Sequence, residues 1–162
     1  MRSSYQETSD ESEVPHLIEA SGAHTVVFDI EPFVASWDTS QRLLDDGIAR
    51  VLSGAATVPG VRAVCFATNS DRKPSALPGI AGVRVDFQSS ARKPLRLQPY
   101  ADLPRPGVVV GDQIATDGAL AWRLGYAFLH FRPQPGTMPA GPAVLYGGGM
   151  LMRPLLFRRP PR

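Results

Sequence analysis

A four-residue apolar run, Thr25-Val26-Val27-Phe28, stops on a carboxylate, Asp29, with Glu31 and Pro32 just beyond it. A short β-branched run bounded by turn formers predicts a strand buried on both faces. A carboxylate at the end of such a strand adds nothing to a core. It stands where open α/β sheets bind their ligands, outside the carboxyl ends of the strands. The same arrangement recurs along the chain. Residues 61–67 (VRAVCFA) deliver Thr68 and Asn69, and residues 83–86 are followed by Lys93. Residues 108–110 end at Gly111-Asp112, and residues 127–131 form a fifth run.

Helical spacing fills some of the gaps. Leu43, Leu44, Ile48, Val51 and Leu52 share one face of a helix that Asp38 or Thr39 can cap. Residues 115–124 predict a second helix, stopped by Gly125, and residues 15–21 a short one. Pro94, Pro99, Pro104 and Pro106 limit the stretch between them to one helical turn. Strands alternating with helices predict an α/β fold with a mainly parallel, five-stranded sheet. Residues 1–14 are polar and acidic and are expected to be a disordered tail. Residues 15–133 make the α/β domain, and 134–162 a Pro/Gly-rich extension. Gly147-Gly148-Gly149 sets off a last segment, MLMRPLLFRRPPR, read as a loose end. Its mix of apolar and basic residues makes peripheral contact with a membrane surface the alternative.

Composition narrows the function. At 162 residues the chain is large enough for one domain with a real core. A net charge of +2 is too small to argue for nucleic acid as a partner. The basic residues are nearly all arginine. The only lysines are Lys73 and Lys93, which makes the place of Lys93 conspicuous. One cysteine, Cys65, excludes an internal disulfide and fits a reducing compartment. It falls inside an apolar strand, so it reads as a buried thiol and not a nucleophile. No segment approaches the length that spans a bilayer, and the N-terminus lacks the apolar centre of a signal peptide. A cytoplasmic location is expected. His16, His24 and His130 have no metal-ligand spacing.

If the strands are parallel, Asp29, Glu31, Thr68, Asn69, Lys93, Asp112 and Asp117 gather at one edge of the sheet. Clustered carboxylates repel unless a cation intervenes, and an all-oxygen set suits Mg²⁺. A lysine and a hydroxyl beside them can hold a phosphoryl group.

Four pieces of sequence carry a resemblance: DIEPFVASWD at 29–38, ATNS at 67–70, ARKP at 91–94 and GDQIATDG at 111–118. Together they resemble the haloacid dehalogenase-like (HAD) phosphatases, within them the YqeG-like, phosphatidylglycerophosphatase-related branch. That branch reads D-x-D-N-T-L-V-P-W-D, S-N-N, K-P and G-D-Q-x-x-T-D in this order. The resemblance spans roughly residues 24–133 and implies a Rossmann-like three-layer core without a cap domain. It implies Asp29 as the nucleophile, forming an aspartyl-phosphate, and Glu31 in the place of the general acid/base. Asp29, Asp112 and the main-chain carbonyl of Glu31 would hold Mg²⁺. Thr68, Asn69 and Lys93 would bind the phosphoryl group, and Asp117 would support the metal ligands from behind. The first motif is degenerate, with Glu31 for aspartate and Phe33 for threonine. The expected activity is a phosphatase of reduced efficiency on a bulky phosphomonoester, a phosphorylated glycerolipid among the candidates. The alternative is an inactive domain that binds phosphate, a ligand or a protein partner. An aspartate restored at position 31 is expected to raise turnover.

Overall fold

The computed structural model describes residues 3–132 and 140–157, with side chains in the second segment described from residue 147 onward. Six strands form one sheet: β1 (Tyr5–Thr8), β2 (Thr25–Asp29), β3 (Ala63–Ala67), β4 (Arg84–Gln88), β5 (Gly107–Gly111) and β6 (Ala127–Phe131). Their order is β1-β6-β5-β2-β3-β4, and all pairings between them are parallel. β2 lies inside the sheet, between β3 and β5. From β2 the chain builds outward to β3 and β4 on one side, then returns to β5 and β6 on the other. The crevice between β2 and β5 is therefore the switch point at which such sheets bind ligands.

The central strands are buried on both faces because helices cover both. Val26, Phe28, Val64, Phe66, Val108 and Val110 pack against α1 (Val14–Ala20) and α2 (Gln41–Ala56). The alternate residues Val27, Ala63, Cys65 and Val109 pack against α3 (Ala119–Leu124), Tyr100 and the end of α4 (Ala140–Leu156). This alternation is the period-two geometry of a strand. α2 begins after Ser40, whose hydroxyl accepts from the Leu43 N–H at 3.4 Å, and not after Asp38 or Thr39. Gly47 lets α2 lie against the loop that follows β2. A Cβ there would fall 2.1 Å from the Val34 carbonyl oxygen.

Three expectations from sequence need correction. The sheet has six strands, because residues 5–8 pair with β6 where a disordered tail was expected. Tyr5 explains the difference. Its ring is buried beside Phe128, His130 and Phe157, with the Arg153 guanidinium 4.2 Å from its centroid. The expected helix at 115–124 opens as a wide π-type turn, Ile114–Gly118, and becomes α-helical only from Ala119. The last segment is not a loose end as far as Phe157, since α4 runs through the glycine triplet. Gly149 is the reason, because a Cβ would meet the Ala115 amide nitrogen at 2.8 Å, so only glycine permits this approach to the turn. Leu156 and Phe157 are buried, while Leu151 and Leu155 are exposed. The Pro/Gly-rich residues 133–139 and the terminal 158–162 lie outside the described residues. Among the described residues, no helix is long and apolar enough to cross a membrane.

Candidate active site

Asp29 closes β2 and is nearly buried. Its Oδ1 accepts from the Ile30 N–H at 2.8 Å and from Lys93 Nζ at 2.7 Å. Both contacts fall on Oδ1, which leaves Oδ2 for the adjoining cavity. Lys93 arrives from the loop after β4. Its Nζ also donates to Asp117 Oδ1 at 2.8 Å and to the Ala67 carbonyl at 3.1 Å, so all three ammonium hydrogens are engaged. Asn69 holds this lysine in place: the Lys93 N–H donates to Asn69 Oδ1 at 2.7 Å, and Asn69 Nδ2 donates to the Lys93 carbonyl at 3.2 Å. Asn69, expected to bind phosphate, thus fixes the backbone of Lys93.

Asp112 follows β5, and Asp117 sits on the wide turn after it. Gly111 makes room for Asp117, since a Cβ on Gly111 would lie 2.5 Å from Asp117 Oδ2. That Oδ2 accepts from the Gln113 N–H at 3.2 Å. One carboxylate oxygen from each of Asp29, Asp112 and Asp117 lies within 4.8 Å of the others. Both Asp112 oxygens are buried without a hydrogen-bond partner. With all three carboxylates ionised, one ammonium leaves two negative charges uncompensated, the charge of one divalent cation. A buried, all-oxygen set that includes two unpartnered Asp112 oxygens fits a hard ion such as Mg²⁺. Asp117 lies among these carboxylates with both of its oxygens engaged, Oδ1 by Lys93 and Oδ2 by the Gln113 N–H. The Glu31 side chain is not one of them.

The electrostatics follow from this burial. Desolvation pushes the Asp112 carboxyl up to about 8, and the Asp117 charge adds to the effect. Desolvation and Asp117 also raise Asp29 well above the usual carboxylate range, against the opposing pull of Lys93. Burial alone would lower Lys93, but Asp117 and Asp29 outweigh it and hold the ammonium protonated. Cys65, pushed up to about 12 by burial, is an inert thiol.

Glu31 leaves β2 in extended backbone (φ −97°, ψ 133°), as a residue before proline favours. Its carboxylate turns to two partners. Oε2 accepts from the Thr68 hydroxyl at 2.9 Å, and Oε1 from Arg72 Nη1 at 3.2 Å. Thr68 in turn lies 2.9 Å from the Ser70 hydroxyl. Phe33, where the resembled motif has threonine, stacks on Phe28 at 5.7 Å and belongs to the core. A cavity of about 260 Å³ adjoins Asp29, Glu31, Thr68 and Lys93, with Trp37 and Arg72 among its other walls. Between β2 and β3 the only helix longer than a turn is α2, and between Thr68 and Lys93 the only strand of the sheet is β4. No folded unit is inserted over this cavity from either interval.

Two residues join the site that sequence reasoning did not single out. Arg72 is one. His130 is the other: it is buried at the end of β6, with Nε2 2.9 Å from the Asp112 carbonyl oxygen and Nδ1 2.8 Å from the Tyr5 hydroxyl. Its strand-end position was the available signal, and the missing ligand spacing hid it. No protein-family model, curated protein or solved structure matches the chain.

Proposed function

We propose that this chain is a Mg²⁺-dependent phosphomonoesterase with a HAD-like core and no cap domain. One observation carries the reading: a nearly buried Asp29, bridged by Lys93 to Asp117, stands beside an Asp112 whose two oxygens have no partner. Asp29 Oδ2 attacks phosphorus, a phosphorus–oxygen bond to Asp29 forms, and the bond to the ester oxygen breaks. The Glu31 carboxylate takes up the proton of the singly protonated ester and passes it to the leaving oxygen. Water then attacks the aspartyl-phosphate and gives a proton to Glu31, which releases it with the phosphate, so that the protein returns to its starting state with alcohol and inorganic phosphate as products. Lys93 holds Oδ1 and so fixes which oxygen of Asp29 is the nucleophile. Mg²⁺, held by Asp29, Asp112 and the Glu31 main-chain carbonyl with Asp117 alongside, would neutralise charge on the phosphoryl oxygens.

The absence of an inserted cap between the strands favours a substrate whose bulk stays outside the cavity, such as a phosphorylated glycerolipid. A lipid substrate would also give the exposed Leu151 and Leu155 a surface to meet.

A second reading has its own observation. Thr68 and Glu31 are bonded to each other, which suits a domain that binds phosphate without turning it over. Release of phosphate from an aryl phosphate, with and without Mg²⁺, separates the two. The enzyme releases phosphate only with Mg²⁺ and not as Asp29→Asn. The binding domain releases none, yet is thermally stabilised by Mg²⁺ with inorganic phosphate.

A further inference from the structure

Arg72 has no counterpart in the motifs that suggested the site, yet it is the most connected side chain at the cavity wall. Nη1 reaches Glu31 Oε1 at 3.2 Å, the Ser36 carbonyl at 3.0 Å and the Trp37 carbonyl at 3.2 Å. Nη2 reaches the Thr39 carbonyl at 3.2 Å and its hydroxyl at 2.9 Å. The ion pair is shielded, with side-chain exposures of 20% for Arg72 and 12% for Glu31. The arginine itself is anchored from behind. The loop that carries it is tied to α2 through Asp45 Oδ1, which accepts from the Ser75 N–H at 2.9 Å and from Gln41 Nε2 at 3.0 Å. Gln41 Nε2 also donates to the Lys73 carbonyl at 2.9 Å.

These contacts have one common effect. They tie the loop after β3 to residues 36–39, which follow β2, and they tie both to the Glu31 carboxylate. A guanidinium suits this task because its planar fork can serve several acceptors at once, whereas an ammonium acts as a point charge. The contacts also answer a difficulty raised by the sequence. Glutamate at position 31 is longer by one methylene than the aspartate of the resembled motif, and a long side chain must be held if its carboxylate is to act at a fixed place. A misplacement of about 1 Å costs on the order of 100-fold in rate. Thr68 and Arg72 each hold one of the two carboxylate oxygens.

We propose that Arg72 is a positioning residue for proton transfer: it fixes the Glu31 carboxylate beside Thr68 and pins the Trp37 rim of the cavity. The inference rests on the phosphatase reading. In the first step the ester oxygen leaves as the phosphorus–oxygen bond breaks, and the Glu31 proton goes to that oxygen. An alkyl leaving group needs that proton. A nitrophenyl leaving group is a stable anion and does not.

The test measures kcat/KM for an alkyl phosphate and for p-nitrophenyl phosphate in the native protein, Arg72→Gln, Arg72→Lys and Glu31→Gln. kcat/KM reports the chemistry through phosphoryl transfer to Asp29 and omits the later hydrolysis. Arg72→Gln is expected to lose on the order of 100-fold on the alkyl ester, the scale of general acid catalysis, and only a few-fold on the aryl ester. Arg72→Lys keeps the charge but not the fork and falls between. Glu31→Gln shows the same selectivity, and the double variant is no worse than Glu31→Gln alone, because the two act as one unit. Equal losses on both esters, with native Mg²⁺ stabilisation, overturn the positioning role and leave the phosphatase reading intact. Should neither Arg72 variant fold, Glu31→Gln decides: equal losses there remove the proton transfer that Arg72 would serve. A native protein without Mg²⁺-dependent turnover overturns both.

Discussion

Lys93 Nζ lies 2.8 Å from Asp117 Oδ1, and the two side chains are 2% and 0% exposed. With Asp29 at 2.7 Å on its other side, one ammonium holds two carboxylates at the carboxyl edge of the sheet. Removing one partner of such a buried pair strands the charge of the other. Lys93→Met is expected to destabilise the protein by about 3–5 kcal/mol at neutral pH, with part of the loss recovered in Mg²⁺. Urea denaturation with and without Mg²⁺ measures both. A near-neutral substitution contradicts this view of the pair.

Asp112 gives a pH dependence with a definite sign. Its carboxyl is raised to about 8 in the folded protein from an ordinary value of 3.8. The folded state therefore keeps this proton where the unfolded chain has lost it. Without Mg²⁺, the Asp112 contribution to stability falls as pH rises from about 4 and is fully lost above about 8. Asp112→Asn should be more stable than the native protein in EDTA at pH 8, and the gap should close toward pH 4. Because a metal requires the ionised form, stabilisation by Mg²⁺ should grow with pH up to about 8 and vanish in Asp112→Asn. Thermal melts across pH test both trends.

Two glycines act as spacers for the site. Glycine to alanine inside an exposed helix ordinarily stabilises by about 1 kcal/mol. Gly47→Ala should reverse that sign, because its Cβ would lie 2.1 Å from the Val34 carbonyl oxygen. A loss of about 1–3 kcal/mol is expected, as for overpacking elsewhere. Gly111→Ala would press on Asp117 Oδ2 from 2.5 Å. It should weaken Mg²⁺ stabilisation and turnover more than it lowers the melting temperature. Calorimetry and phosphate release on the two variants distinguish the effects.

The contacts on Glu31 favour an outcome opposite to one expectation drawn from sequence. Restoring the resembled motif by Glu31→Asp was expected to raise turnover. A shorter side chain would draw the carboxylate away from Arg72 and Thr68, which hold it at 3.2 and 2.9 Å. Turnover of an alkyl phosphate should fall on the order of 10-fold or more. Steady-state rates of the two proteins give the answer, and a rise would favour the motif over these contacts.

What could be read in the sequence follows from how each feature is encoded. β2, β3, β5 and β6 are continuous apolar runs buried on both faces, and such runs are visible in one dimension. β1 is the polar segment YQET. Only Tyr5 and Thr8 are buried, so nothing but its pairing with β6 marks it as a strand. α4 was hidden by Gly149, which looks like a breaker and serves as a contact surface. Asp29, Lys93, Asp112 and Asp117 were legible because each lies at or soon after the end of a strand, so their convergence needed only parallel pairing. Arg72 was not. Three of its five acceptors are main-chain carbonyls, and a carbonyl's position leaves no trace in residue identity. By analogy the Glu31 carboxylate took the place of the general acid/base and its main-chain carbonyl a place on the metal, whereas the carboxylate's partners Thr68 and Arg72 are decided by side-chain geometry.

Asp29 is the proposed nucleophile, and the phosphoryl group would pass through it. Mixing the protein with Mg²⁺ and an aryl phosphate, quenching in acid and measuring intact mass tests this directly. One phosphoryl adduct on the native protein, mapping to the peptide that contains Asp29 and absent from Asp29→Asn, is the predicted result. Phosphate release that persists in Asp29→Asn, or turnover with an adduct on another residue, would contradict it.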